Sequence, residues 1–292
     1  MSTLRRASNF LSLVKFSHTV FALPFALLGF FLATLDRGDF SWYKLLLVLL
    51  CMIFARSAAM AFNRWLDRRI DGRNPRTAVR EIPAGTISSR AALTFVVLNS
   101  VLFIGTAGLL NSVVLLLSPL ALLIILGYSY TKRFTYLCHF VLGLGLALAP
   151  IGAYLAVTAE WALLPVLYGT VVLLWVAGFD IIYALQDESF DREEALFSIP
   201  VRLGTVRALQ LGRVIHFACS IVLLYALVLQ HRLYPEFGVL TFVGGLVFLS
   251  LLAYQHTIVR PGDLSRVDLA FFTTNGVASL VFGTASIVDI YV

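Results

Sequence analysis

Residues 173–191 read Leu173-Leu-Trp-Val-Ala-Gly-Phe179-Asp180-Ile-Ile-Tyr183-Ala-Leu-Gln-Asp187-Glu-Ser-Phe-Asp191. An uncharged apolar run ends abruptly in a series of carboxylates. Asp180, Tyr183, Asp187 and Asp191 follow i, i+3, i+7, i+11, which predicts a single helical face. An ionised group at membrane depth costs a few kcal/mol on insertion scales, so acids placed here mark a functional site at the mouth of a membrane helix.

Composition outside this stretch points the same way. Of the 292 residues, 60% are hydrophobic and only 13% charged, against an apolar share of roughly 45–50% in soluble domains. That argues against a soluble enzyme, a disordered tail or a nucleic-acid module, despite a net charge of +6. At roughly 20 residues per membrane helix, the apolar content makes about nine spans. Uncharged runs lie near 16–35, 43–62, 91–110, 112–131, 136–157, 161–184, 208–229, 237–256 and 268–290. They are too long for barrel strands of roughly 10 residues. The expectation is an all-α, multi-pass protein of the lipid bilayer, with one membrane domain over 1–292.

With the N-terminus inside, inside segments carry 18 of the 22 Lys and Arg residues; the outside carries Arg37, Lys44 and Arg232, and Arg56 lies within the second span. This asymmetry predicts a cytoplasmic N-terminus and an outside C-terminus, and it accounts for the positive charge without nucleic acid. The first run is longer than a signal-peptide core and has no cleavage motif close behind it, so it reads as a retained helix. Cys51, Cys138 and Cys219 sit in separate spans without disulfide or metal spacing. His18, at the inside end of the first helix, reads as a packing or interfacial residue, and the other histidines lack ligand-like spacing.

Two inside loops, near 63–90 and 185–207, are longer than ordinary helix connections. Each begins with acids at helical spacing and ends in Pro and Gly: Pro83-Ala-Gly85 and Pro200-Val-Arg-Leu-Gly204. The echo is consistent with a four-helix unit used twice, plus a ninth helix. In the first loop Asn63, Asp67 and Asp71 stand at i, i+4, i+8, again one stripe. Carboxylates on adjacent turns repel unless something cationic lies between them, either Arg64, Arg68 and Arg69 or a divalent cation. Two such stripes on one side suit Mg²⁺, which takes one or two carboxylates per ion and binds substrate phosphates with its remaining positions. Arg76, Arg80, Arg202 and Lys132, the last at the inside end of the fourth span, supply groups suited to phosphate oxygens. The rest of the ligand should be apolar, because the site opens into the bundle. A polyprenyl diphosphate satisfies both halves.

At these residues the chain resembles the UbiA superfamily of intramembrane prenyltransferases. The resemblance spans essentially the whole length. It rests on Asn63-xxx-Asp67-xxx-Asp71, on Tyr128-xxx-Lys132, on Asp187-xxx-Asp191 with Asp180 upstream, and on Asp71-Gly-Arg-Asn-Pro-Arg-Thr77. It looks most like the 4-hydroxybenzoate polyprenyltransferase branch of quinone biosynthesis, including UbiA-like proteins of the menaquinone (futalosine) route. Arg64 and Phe197 depart from the hydroxybenzoate pattern, which often has Asp and Lys there. The resemblance implies that Asn63, Asp67, Asp71, Asp187 and Asp191 hold Mg²⁺ on the diphosphate, with the four aspartates catalytic. It also implies that Asn63, Arg76, Arg80, Tyr128, Lys132, Asp180, Tyr183 and Arg202 contact substrate, and that the acceptor is a small aromatic acid. Haem farnesylation and prenylglycerol-phosphate synthesis stay open within the superfamily. A secondary transporter is the rival from another class, although its ionisable groups would lie nearer the midplane.

Overall fold

A computed structural model of the chain describes Leu13 and residues 21–292. His18 and the beginning of the expected 16–35 span lie outside the described residues. Ten α-helices follow in order: α1 (Leu23–Arg37), α2 (Trp42–Asp71), α3 (Ser89–Leu110), α4 (Ser112–Thr131), α5 (Cys138–Thr158), α6 (Leu163–Ala184), the short α7 (Glu188–Glu193), α8 (Ile199–Leu233), α9 (Val239–Ile258) and α10 (Asn275–Asp289). A π-helical turn, Leu269–Thr274, runs directly into α10. Among the described residues there is no strand beyond an isolated bridge between Arg260 and Asp263. Eight helical stretches are long and apolar enough to cross a membrane. With the shorter α1, of 15 described residues, they make nine long helices of an all-α bundle among the described residues.

Helix starts follow local chemistry. Ser41, Ser88, Asn111 and Ser198 each accept from the backbone N–H three residues on, capping α2, α3, α4 and α8. The core is centred on α6, the most buried of the spans. Its Trp175 and Tyr168 are fully buried and pack with Phe25, Phe248 and Phe282 from α1, α9 and α10. Small residues let neighbours approach closely, as usual where lipid supplies no hydrophobic drive. A Cβ on Gly143 of α5 would stand 2.5 Å from the Leu173 carbonyl oxygen of α6.

Boundaries differ from the sequence expectation in two useful places. α2 does not stop near residue 62 but continues to Asp71, so Asn63, Asp67 and Asp71 belong to a membrane helix and the loop shrinks to 72–88. The second acidic series is not one continuous helix. α6 ends at Ala184, a 3₁₀ turn spans Leu185–Asp187, and α7 begins at Glu188. The echo between the loops persists in the backbone, because Gly85 and Gly204 both take φ of 73°, a conformation that favours glycine. At Gly204 this breaks α8 into a short first turn and the long apolar rod.

Candidate active site

At the acid-bearing ends of α2 and α6, beside the end of α4, lies a cavity of about 310 Å³. Asn63, Asp67 and Asp71 line it from α2, Tyr128 and Lys132 from the end of α4, and Asp180 and Tyr183 from α6. Asp187 and Asp191 reach it from the 3₁₀ turn and α7, and Arg76 and Arg80 from the 72–88 loop. Eleven of the twelve residues expected at the site therefore converge. Arg202 does not: its guanidinium lies 4.9 Å from the centre of the Tyr136 ring, away from the cavity lining.

The acids are held by cations from other segments. Asp67, 1% exposed, takes Lys132 Nζ at 2.5 Å on one oxygen and Arg133 Nη2 at 2.8 Å on the other. Asp71 Oδ1 takes Arg80 Nη1 at 2.7 Å. Asp187 accepts from Arg76 through two nitrogens and from Asn74 Nδ2 at 3.2 Å, while Arg76 Nη1 also donates to Tyr183 at 3.0 Å. Burial alone would lower the Arg76 guanidinium, but the hydrogen bonds and charge of Asp187, with Tyr183, outweigh it and hold the group above its ordinary value. The expectation that Arg64, Arg68 and Arg69 separate the first acids is corrected. Arg68 turns back onto Trp65 and its carbonyl, Arg64 makes no pair with either aspartate, and Arg80, Lys132 and Arg133 do the work.

Sequence reading missed several members. His139 gives Nδ1 to Asp180 at 2.7 Å, and its Nε2 faces the Ile199 N–H at 3.3 Å. A backbone N–H can only donate, so Nε2 is the acceptor and Nδ1 carries the proton toward the carboxylate. Arg133 and Asn74 are further members without a signal in the spacing of the acids, although Asn74 stands within the Asp71–Thr77 segment. Arg56 lines the cavity from inside a membrane span, which was itself a signal.

Against this polar cavity lies a second, apolar one, also about 310 Å³. The two share Arg56, Met60, Tyr128, Leu142 and Leu146. The apolar cavity runs between α2, α3, α4 and α5 as far as Val48 and Trp161. At about 1.5 Å per residue, Val48 lies about 28 Å along α2 from Asp67.

Among the described residues no three His, Cys, Asp or Glu side chains form a ready ligand group. The donor chemistry nevertheless fits a hard divalent cation: the amide of Asn63 and the carboxylates of Asp67, Asp71, Asp187 and Asp191 offer oxygen. Asp71 Oδ2, moreover, is buried without a hydrogen-bond partner among the described residues.

The model of the UbiA prenyltransferase family matches residues 22–277. The chain is 28% identical over 284 residues to the 4-hydroxybenzoate octaprenyltransferase of Aliivibrio salmonicida, covering 96% of each chain. It is 31% identical over 246 residues to that of Aliivibrio fischeri, covering 82% of each. It superimposes on the apo structure of a UbiA homolog from Aeropyrum pernix K1 with a TM-score of 0.82 and 33% identity, covering 94% of this chain and 98% of that one. A UbiA homolog from Archaeoglobus fulgidus bound to GPP and Mg²⁺ shares the fold, with a TM-score of 0.74 at 21% identity over 97% of this chain and 100% of the other. The chain belongs to the UbiA prenyltransferase family.

Proposed function

We propose that this protein transfers a polyprenyl group from a polyprenyl diphosphate to a 4-hydroxybenzoate-like aromatic acid, in the ubiquinone or menaquinone route. It does so as a single membrane domain of the inner membrane, with its site facing the cytoplasm. The observation that carries the reading is the junction of a charged cavity with an apolar groove. The first suits a diphosphate and the second an isoprenoid tail.

Asn63, Asp67, Asp71, Asp187 and Asp191 would hold Mg²⁺, which when bound supplies charge neutralisation for the departing diphosphate. Lys132, Arg76 and Arg80 would turn toward the diphosphate oxygens and stabilise negative charge as the allylic C–O bond lengthens. The groove orients the tail and excludes water that would otherwise capture the allylic cation. Tyr128, at the junction, places an aromatic residue where tail and head meet. The acceptor ring then attacks and loses a proton, and Asp187 or Asp191 would help deprotonate the phenol.

The test is a mass-spectrometric assay in purified membranes, offering prenyl diphosphates and aromatic acids with and without Mg²⁺. Mg²⁺-dependent prenylated 4-hydroxybenzoate is the expected product. No product from any pair, with substrate uptake into proteoliposomes instead, would overturn the reading in favour of transport.

A further inference from the structure

Arg64 stands on α2 between Asn63 and Asp67 and is 4% exposed. It lines the polar cavity, and its Nε and Nη1 are buried without a hydrogen-bond partner among the described residues. Asp67 and Asp71 follow at i+3 and i+7, so Arg64 shares their face of the helix. Neither neutralises it by contact: Asp67 is taken by Lys132 and Arg133, and Asp71 Oδ1 by Arg80. A buried guanidinium with unmatched donors is among the costliest groups a fold can keep. Evolution tolerates such a group chiefly where function uses it. Of the other cations lining this wall, Arg76, Arg80 and Lys132 have carboxylate partners, and Arg56 leaves only its Nε buried and unmatched, against two nitrogens of Arg64.

We infer that Arg64 is the anchor of a further oxyanion subsite, whose unmatched N–H groups receive a ligand oxygen. The inference rests on the reading of this cavity as a prenyl diphosphate and aromatic acid site, because those ligands offer the two sources of such an oxygen. One is a terminal phosphate, the other the carboxylate of the acceptor. Arg64 would then fix where one substrate lies relative to the other.

Binding of two probes by purified detergent-solubilised protein distinguishes the sources: inorganic diphosphate with magnesium chloride, and 4-hydroxybenzoate. Arg64→Gln should weaken one probe by about 10- to 100-fold, the worth of a charge-assisted hydrogen bond, and leave the other within about twofold. Thermal stability of the ligand-free variant should be unchanged or higher, since a costly buried charge is gone. A merely structural arginine would give the opposite pattern, a lower melting temperature with both affinities intact, and that would overturn the proposal. If Arg64→Gln does not fold, Arg64→Lys decides by the same reading: a smaller loss confined to one probe is expected, and wild-type affinity for both overturns it. Turnover by the wild-type protein is scored separately. An inert wild type whose anion binding still depends on Arg64 would sink the prenyl-transfer reading while keeping the subsite.

Discussion

Replacing Asp67 by Asn removes the negative charge on which two cations converge. Lys132 Nζ and Arg133 Nη2 lie at 2.5 and 2.8 Å from its two oxygens. The amide keeps one weaker acceptor and turns N–H donors toward a cation. Breaking a fully buried pair from one side costs about 3–5 kcal/mol. Here the Lys132 and Arg133 side chains are 30% and 27% exposed, so water recovers part of the loss and about 2–3 kcal/mol remains. For a chain of this size that lowers the melting temperature by about 4–8 °C. Turnover should fall much further, by about 100-fold or more, if Asp67 acts at the reacting diphosphate as proposed. The double variant Asp67→Asn/Lys132→Met removes the stranded ammonium. It should regain part of the melting temperature and none of the turnover. Thermal unfolding in detergent and prenylation in membranes measure the two quantities. Turnover of Asp67→Asn within about threefold of wild type, or recovery of turnover in the double variant, would refute the placement of Asp67 in the chemistry.

Three further outcomes follow from the geometry. Asn275 accepts from Trp175 Nε1 at 2.7 Å and donates to the Ala270 and Phe271 carbonyls of the π turn; Asn275→Ala should cost about 2–4 kcal/mol in thermal unfolding. It should also raise KM for the acceptor, because Phe271 lines the cavity and stacks on Tyr183 with centroids 4.0 Å apart; an unchanged KM would disconnect the π turn from the site. Gly178→Ala puts a Cβ 2.2 Å from His216 Nε2 and should destabilise by about 1–3 kcal/mol, with partial rescue by His216→Ala. Val79, 82% exposed in the 72–88 loop, should as a lone cysteine in a Cys51, Cys138 and Cys219-free background be labelled by an impermeant reagent only in inside-out vesicles; labelling in intact cells would reverse the orientation.

The acidic rows were legible because two signals coincide in them: the helical 3.6-residue repeat and the end of an apolar run. Asn63, Asp67 and Asp71 needed only α2 to continue, and it does. Asp187 and Asp191 reached the cavity despite a helix break that their spacing did not reveal, since α7 and the 3₁₀ turn still direct them inward. What stayed hidden was pairing at long sequence distance. Nothing local to Asp67 names Arg133 as its partner, and nothing near Asp180 names His139. The apolar groove was illegible for a different reason. Its walls, such as Met52, Leu117 and Leu146, carry the same side chains as a lipid-facing surface. A prenyl tail and a lipid tail ask for the same chemistry, so composition cannot tell one face from the other.

The pairing pattern also constrains the ligand. Five carboxylates line the polar cavity (Asp67, Asp71, Asp180, Asp187 and Asp191) against five permanent cations (Arg56, Arg64, Arg76, Arg80 and Lys132), so the wall is close to neutral. Several pairs join different segments: Asp67 of α2 to Lys132 beside α4, Asp187 to Arg76 of the 72–88 loop, and Glu194 to Arg73 at 2.6 Å. If Lys132, Arg76 and Arg80 turn to diphosphate oxygens, then Asp187 and Asp71 lose their counter-ions and Asp67 keeps only Arg133, inside a poorly solvated cavity where unpaired carboxylates are costly. A bare polyanion would therefore trade one unfavourable set of charges for another. A diphosphate accompanied by a divalent cation lets both sets exchange partners at once, the bases taking phosphate and the acids taking metal. On the proposed reading, the ion pairs seen across the cavity would hold the acidic and basic groups ready for such a charge-balanced ligand, and metal and diphosphate would be mutually dependent ligands of one site.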